Sequence, residues 1–249
     1  MSSTATATPA KYLRFLITGG SRGIGLACAH RFASQGHHII LLARNNAALS
    51  TATSELPRTH SEQNHECIIG DVSQQETWEK VKAEHKKLDV LISAAGISQT
   101  SLLSRTKPDA INSIISTNLT GTILGSRTVS SLLLHRRSPG VIVNISSVLG
   151  LSKCIPGTSV YAASKAGVIG FSRALAVEVG SRGIRVNTVC PGYVKTQMTE
   201  DVRIREIGGD GPMGRWAEMD EVVNAVEFVV NNGYVNGAEV VVDGGLRLS

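Results

Sequence analysis

Seven short apolar runs recur along the 249 residues, spaced by longer stretches of helical character, and this rhythm constrains the fold more than any other feature. The runs are 13–18, 38–43, 66–69, 90–93, 141–145, 185–189 and 239–242. Most are continuous rather than alternating, the pattern of strands covered on both faces. The helical segments between them include 24–34, 77–87, 108–135, 161–179 and 220–230. Repeated strand-then-helix units imply right-handed crossovers and a parallel sheet. The expectation is an α/β, doubly wound fold with a central parallel sheet of about seven strands and helices on both faces. No internal repeat, low-complexity block or long linker divides the chain, so 1–249 reads as one domain.

Charge and cysteine usage exclude several function classes. The net charge is +5, and no Lys/Arg run exceeds a pair, so a nucleic-acid footprint is not expected. An anionic cofactor or substrate suits that balance. Cys28, Cys67, Cys154 and Cys190 are widely spaced, with no CxxC and no zinc-like Cys/His spacing. They read as buried free thiols of a reducing compartment, and no metal site is expected. No apolar stretch reaches membrane-spanning length. Residues 1–10 are Ser/Thr/Ala-rich and lack arginine, which reads as a short disordered tail. The cytoplasm is the expected location, with the mitochondrial matrix as the alternative.

The first run ends in Thr18-Gly19-Gly20-Ser21-Arg22-Gly23-Ile24-Gly25. Glycines let the backbone turn sharply and approach a ligand closely. The helix that follows offers free N–H groups and a positive dipole to a pyrophosphate, as in Rossmann-like folds. Gly19, Ser21, Arg22, Gly23, Ile24 and Gly25 are therefore candidate cofactor contacts. The second run closes on Ala43-Arg44-Asn45. An acidic residue there favours NAD, whereas Arg44, helped by Arg22, meets a 2′-phosphate and favours NADP(H). Asp71-Val72 closes the third run. Asp71 either meets the adenine amino group or caps the next helix.

Tyr161 and Lys165 lie four residues apart, on one face of a helix, and Ser147 stands fourteen residues before Tyr161. A cation beside a phenol favours its ionised form, which suits Tyr161 to exchange protons near neutral pH. Ser147 could hold a substrate oxygen beside it, and Ser146 is the rival hydroxyl.

The glycine pattern, Ala95-Gly96, Asn118-Leu119-Thr120-Gly121, the Ser147/Tyr161/Lys165 set and Pro191-Gly192 together resemble the short-chain dehydrogenase/reductase family. Val160-Tyr161-Ala162-Ala163-Ser164-Lys165-Ala166-Gly167, Gly183-Ile184-Arg185-Val186-Asn187 and Val241-Val242-Asp243-Gly244-Gly245 carry a likeness to its 3-oxoacyl-[acyl-carrier-protein] reductase and carbonyl-reductase branch. The resemblance implies an NADPH-dependent ketone reductase acting on 3-oxoacyl thioesters, as in fatty acid biosynthesis. A reductase or dehydrogenase of a secondary-metabolite carbonyl and a non-catalytic nucleotide-binding subunit are the alternatives. It implies that Tyr161 donates a proton, that Lys165 lowers the Tyr161 pKa and holds the nicotinamide ribose, and that Ser147 binds the carbonyl oxygen. Asn118 would link Lys165 to solvent through water, or simply bond backbone. Ala95 and Gly96 would border the cofactor. Pro191, Gly192, Val194 and Thr196 would grip its carboxamide, through the Val194 backbone and the Thr196 hydroxyl.

Two departures from the family pattern stand out. Ser93-Ala94-Ala95-Gly96 replaces Asn-Asn-Ala-Gly, which alters how the sheet centre is held. The substrate lid, 197–218, begins with Gln197 where relatives are acidic, is shortened, and holds Gly208-Gly209-Asp210-Gly211. The resemblance also implies partners. An acidic acyl carrier protein would dock on cations near the active-site entrance, with Arg137 and Arg182 as candidates. Helices 108–135 and 161–179 would form a homodimer, and 237–249 would complete a homotetramer.

Overall fold

The computed structural model describes residues 12–196 and 211–248. The tail expected over 1–10 and most of the expected lid, 197–210, lie outside the described residues. Seven parallel strands form one sheet: β1 (Arg14–Thr18), β2 (His38–Ala43), β3 (His65–Ile69), β4 (Val90–Ser93), β5 (Gly140–Ile145), β6 (Ile184–Pro191) and β7 (Glu239–Val242). Their order is β3-β2-β1-β4-β5-β6-β7. Phe15 of β1 pairs with Ile39 on one side and Val90 on the other.

Helices cover both faces, which is why the strands are continuous apolar runs. Phe15 and Ile17 pack with Cys28 and Phe32 of α1 (Gly23–Ser34) and with Val222 and Val226 of α7 (Met219–Asn231). Leu16 faces the other way, towards Trp78 of α3 (Gln75–Glu84), Val129 and Leu133 of α5 (Gly121–Arg136) and Leu175 of α6 (Ser159–Gly180). Phe15, Leu16 and Ile17 are therefore all fully buried. Each such side chain contributes about 1.5–3 kcal/mol of hydrophobic burial.

Three local features depart from expectation. Helix α2 (Asn46–Ser54) has no strong apolar pattern, but Asn45 caps it by accepting from Ala48 N at 3.0 Å. The helix expected over 108–135 is α4 (Pro108–Ile115) and α5 joined by a π-helical turn, Ser116–Thr120. Such turns insert one extra residue and recur at functional sites. All four thiols are free, but Cys67 and Cys154 are exposed, contrary to the expected burial. β3 is an edge strand paired only with β2, so Cys67 points outward, and Cys154 lies in the loop between β5 and α6.

Candidate active site

Strand order reverses between β1 and β4, and a cleft of about 630 Å³ opens there at the carboxyl ends of the strands. Gly19, Ser21, Arg22, Gly23, Ile24 and Gly25 form one wall. Gly19 has φ +67°, and a Cβ on it would lie 2.8 Å from Ala95 N. A Cβ on Gly25 would lie 2.5 Å from the Gly19 carbonyl oxygen. A side chain at either position would collide with neighbouring backbone, so both glycines are needed for the close turn. Arg22 occupies the N-cap of α1 in extended conformation without a side-chain cap, so the first N–H groups of α1 are left for an anion.

Arg44, Asp71 and Val72 form the next wall. Arg44 is 67% exposed, and its Nη1 lies 3.7 Å from Asp71 Oδ2. Asp71 Oδ1 accepts from the Ser73 backbone at 2.9 Å and the Ser73 hydroxyl at 2.7 Å. Asp71 thus closes the turn before α3 without being its N-cap, which is Gln74. Burial pushes its carboxyl pKa up, but the Ser73 bonds and Arg44 outweigh burial and leave it below its usual value.

Ala94, Ala95, Gly96 and Ile97 continue the lining. At the Ser93-Ala94-Ala95-Gly96 turn, Thr18 Oγ1 accepts from both Ala94 N and Ala95 N at 3.2 Å. Ser93 Oγ is buried and has no hydrogen-bond partner among the described residues. Asn118, in the π-turn, is fully buried. Its Oδ1 accepts from Ile97 N at 2.9 Å and its Nδ2 donates to Ile97 O at 3.0 Å. Nδ2 also donates to Ser164 Oγ on α6 at 3.1 Å. The backbone-bonding reading of Asn118 is observed in these contacts, and the side chain lies close to both Gly96 and Lys165. A Cβ on Gly96 would lie 3.4 Å from Asn118 Oδ1 and 3.6 Å from Lys165 Nζ.

Tyr161 and Lys165 share a face of α6, with Lys165 Nζ 5.7 Å from the Tyr161 ring centroid. Lys165 is 6% exposed and donates to the Ile145 carbonyl at 2.8 Å. The two hydroxyls after β5 separate cleanly. Ser146 donates to Lys165 O at 2.9 Å and is committed to the α6 backbone. Ser147 accepts from Leu149 N at 3.2 Å, and its hydroxyl lies near enough to the Tyr161 phenol to pull that group's pKa down.

The expected lowering of the Tyr161 pKa is corrected. Burial pushes the phenol up to about 12, with the nearby Ser147 hydroxyl pulling the other way. Burial pushes the Lys165 amine down to about 8, against a small opposing pull from Cys190. Desolvation is the leading cause of both shifts.

Among the other expected contacts, Thr196 lines the cleft, whereas Pro191, Gly192 and Val194 do not. Pro191 pairs with Val242, Gly192 N donates to Val242 O at 2.8 Å, and Val194 bridges to Ala217. Arg137 and Arg182 are exposed but sit just before β5 and β6, at the amino ends of the strands. The cleft is at the carboxyl ends, so neither flanks its entrance, contrary to expectation. Sequence reasoning missed Asn45, Gly70 and Thr117 as lining residues. Their one signal is that Asn45 and Gly70 stand within two residues of the ends of β2 and β3. Among the described residues, no cluster of three metal-ligating side chains exists and no helix is long and apolar enough to cross a membrane.

The family model described as short chain dehydrogenase matches residues 14–207. The chain belongs to the short-chain dehydrogenase family. It is an oxidoreductase fold of the branch expected from its motifs. It is 40% identical over 233 residues to the human (Homo sapiens) 3-oxoacyl-[acyl-carrier-protein] reductase, covering 93% of this chain and 97% of that one. It is 41% identical over 242 residues to carbonyl reductase family member 4 of Danio rerio, covering 94% and 97%. Among solved structures, a 4-hydroxyisoleucine dehydrogenase mutant complexed with NADH and succinate is similar with TM-score 0.85 at 28% identity, covering 95% of this short-chain dehydrogenase and 99% of that chain.

Proposed function

We propose that the protein is an NADPH-dependent reductase that converts a ketone, in the first instance a 3-oxoacyl thioester, to a secondary alcohol. The observation that carries this reading is the approach of Lys165 and Asn118 to Gly96, which lines the glycine-floored cleft, with Tyr161 on the same helix face as Lys165 and its phenol near Ser147.

The residues present fit a dinucleotide. The Gly19 and Gly25 cradle admits backbone approach, the uncapped start of α1 suits a pyrophosphate, and Arg44 with Arg22 suits a 2′-phosphate. Lys165 would hold the ribose hydroxyls and Thr196 the carboxamide. When bound, the nicotinamide supplies the hydride.

The chain's own side chains handle the proton and the oxygen. With a pKa raised to about 12, Tyr161 is a neutral proton donor throughout the physiological range. It gives that proton to the ketone oxygen as charge develops there. Ser147 donates to the same oxygen and holds it against the phenol. Lys165, at about 8, remains mostly protonated at pH 7 and stabilises the phenolate left behind. Asn118 fixes Ile97 and Ser164 and keeps the path from Lys165 open for proton return.

Carrier-protein docking on Arg137 and Arg182 would require a partner protomer whose cleft lies beside these strand-start cations.

The test is turnover of acetoacetyl-CoA with NADPH by the native protein and by Tyr161→Phe. The native protein should oxidise NADPH, and the variant should lose at least about a thousandfold in kcat while keeping cofactor affinity. Undiminished turnover by the variant refutes the mechanism. Turnover of cyclic or aromatic ketones but not acetoacetyl-CoA moves the substrate to a secondary-metabolite carbonyl. NADPH binding with no turnover on either panel leaves only a non-catalytic nucleotide-binding role.

A further inference from the structure

The catalytic helix has no cap of its own. Thr158, its N-cap residue, makes no side-chain cap, and the first intrahelical bond runs from Ala162 N to Thr158 O at 2.7 Å. The N–H groups of Ser159, Val160 and Tyr161 therefore need partners from outside the helix. Gln99 supplies two of them from the loop after β4. Its Oε1 accepts from Val160 N at 2.7 Å and from Tyr161 N at 3.1 Å, across 61 and 62 residues of chain.

The carboxamide can sit only one way round. Backbone N–H groups donate, so the oxygen must face the helix. The amide nitrogen then donates to Ser101 O at 2.9 Å and to Thr106 Oγ1 at 3.3 Å. Thr106 is itself fixed by the Leu102 carbonyl at 3.0 Å. Gln99 is only 5% exposed, so a lost acceptor is not replaced by bulk water. Two residues earlier, Asn118 clamps Ile97 by both its N–H and its carbonyl, and the same asparagine reaches Ser164 on α6. The Ile97–Gln99 loop is thus bonded directly to the first turn of the catalytic helix, and through Asn118 to Ser164, while its leading edge lines the cleft.

We propose that Gln99 is a positioning residue for Tyr161, holding the first turn of α6 so that the phenol stays against Ser147 beside the cleft. This inference rests on the reading of Tyr161 as the proton donor. Gln99 touches the Val160 and Tyr161 backbone and acts through Tyr161. A side chain one or two residues along the loop from a cofactor wall also ties the geometry of that wall to the geometry of the acid.

The experiment uses the full chain, with Gln99→Leu, Gln99→Glu and Tyr161→Phe. Amide hydrogen exchange on the cofactor-free protein reads the cap directly. Gln99→Leu should speed exchange at Val160 and Tyr161 by at least about tenfold while leaving the rest of α6 unchanged. With NADPH and the best ketone of the panel, Gln99→Leu should lower kcat about a hundredfold, as expected of a small misplacement, while leaving cofactor affinity intact. Gln99→Glu keeps an oxygen facing both amides and suits a helix N-terminus, but sets its second oxygen against the Ser101 carbonyl in place of a donor, so it should recover part of the kcat lost in Gln99→Leu. Unchanged exchange at the two amides overturns the proposal, as does faster exchange with unchanged kcat, or a fall in kcat that Gln99→Glu does not relieve. Full turnover by Tyr161→Phe refutes the proton-donor reading instead, and the exchange measurement still reports whether Gln99 caps the helix.

Discussion

Lys165 should destabilise the fold that it serves, and replacing it with methionine should show by how much. Its amine is buried under α6 and makes one hydrogen bond, to the Ile145 carbonyl at 2.8 Å. Burial lowers its pKa from 10.5 to about 8, with Cys190 pulling weakly upward. At about 1.4 kcal/mol per pH unit, that fall represents about 3 kcal/mol of unfavourable folding free energy. The sign follows from which state holds the proton. Below about pH 8 the amine is charged in both folded and unfolded chains, and the full cost is present. Between about 8 and 10.5 only the unfolded chain holds the proton, so stability from this group rises with pH. Above 10.5 the cost has gone.

Lys165→Met removes that cost together with one hydrogen bond worth about 1 kcal/mol, so the cofactor-free variant should be about 2 kcal/mol more stable at pH 7. The advantage should shrink steadily towards pH 10. Cys28, Cys190 and Tyr161, raised to about 12, 11 and 12, hold their protons more tightly when folded and oppose the trend in the native protein. Taking the difference between the two proteins largely cancels their contribution. Urea unfolding of both, measured in parallel from pH 7 to pH 10, is the assay. A variant no more stable than the native protein at pH 7, or a difference that does not change with pH, refutes the reasoning. Reductase turnover should be lost at every pH.

The remaining expectations concern cofactor choice, backbone approach and the two adjacent hydroxyls. Arg44→Asp should weaken NADPH at least about tenfold more than NADH in fluorescence titrations, and equal native affinities for the two would refute the role of Arg44. Gly25→Ala drives a methyl to 2.5 Å from the Gly19 carbonyl oxygen, and should cost about 1–3 kcal/mol and abolish cofactor binding. An unchanged melting temperature would show that the loop yields freely. Ser147→Ala should lower kcat at least about a hundredfold, whereas Ser146→Ala, which loses a bond to the α6 backbone, should act chiefly on stability. The reverse ranking in steady-state kinetics would exchange their roles.

What the sequence disclosed and what it concealed divide along the range of the interactions involved. Helices cover both faces of the sheet centre, so its strands had to be apolar runs, and the run 90–93 coincides with β4. The nearness of Lys165 to Tyr161 was equally legible, because one helical turn guarantees it. Helix α2 was not, since Ala, Ser and Thr leave no apolar stripe and only Asn45 marks its start. The π-turn around Asn118 was hidden because one extra residue in a long helix disturbs the apolar spacing too little. Arg137 and Arg182 were misplaced relative to the entrance for a different reason. A motif names a residue but not the end of the sheet on which it stands. The pKa of Tyr161 fails to follow from spacing for a related cause: desolvation depends on what covers the pair, and that cover comes from elements far away in the chain. Gln99 is the extreme case. Its partners are backbone amides 61 and 62 residues distant, which carry no side-chain signature at all. Family motifs therefore locate the reacting groups, while the residues that hold those groups in register become visible only once the chain is folded.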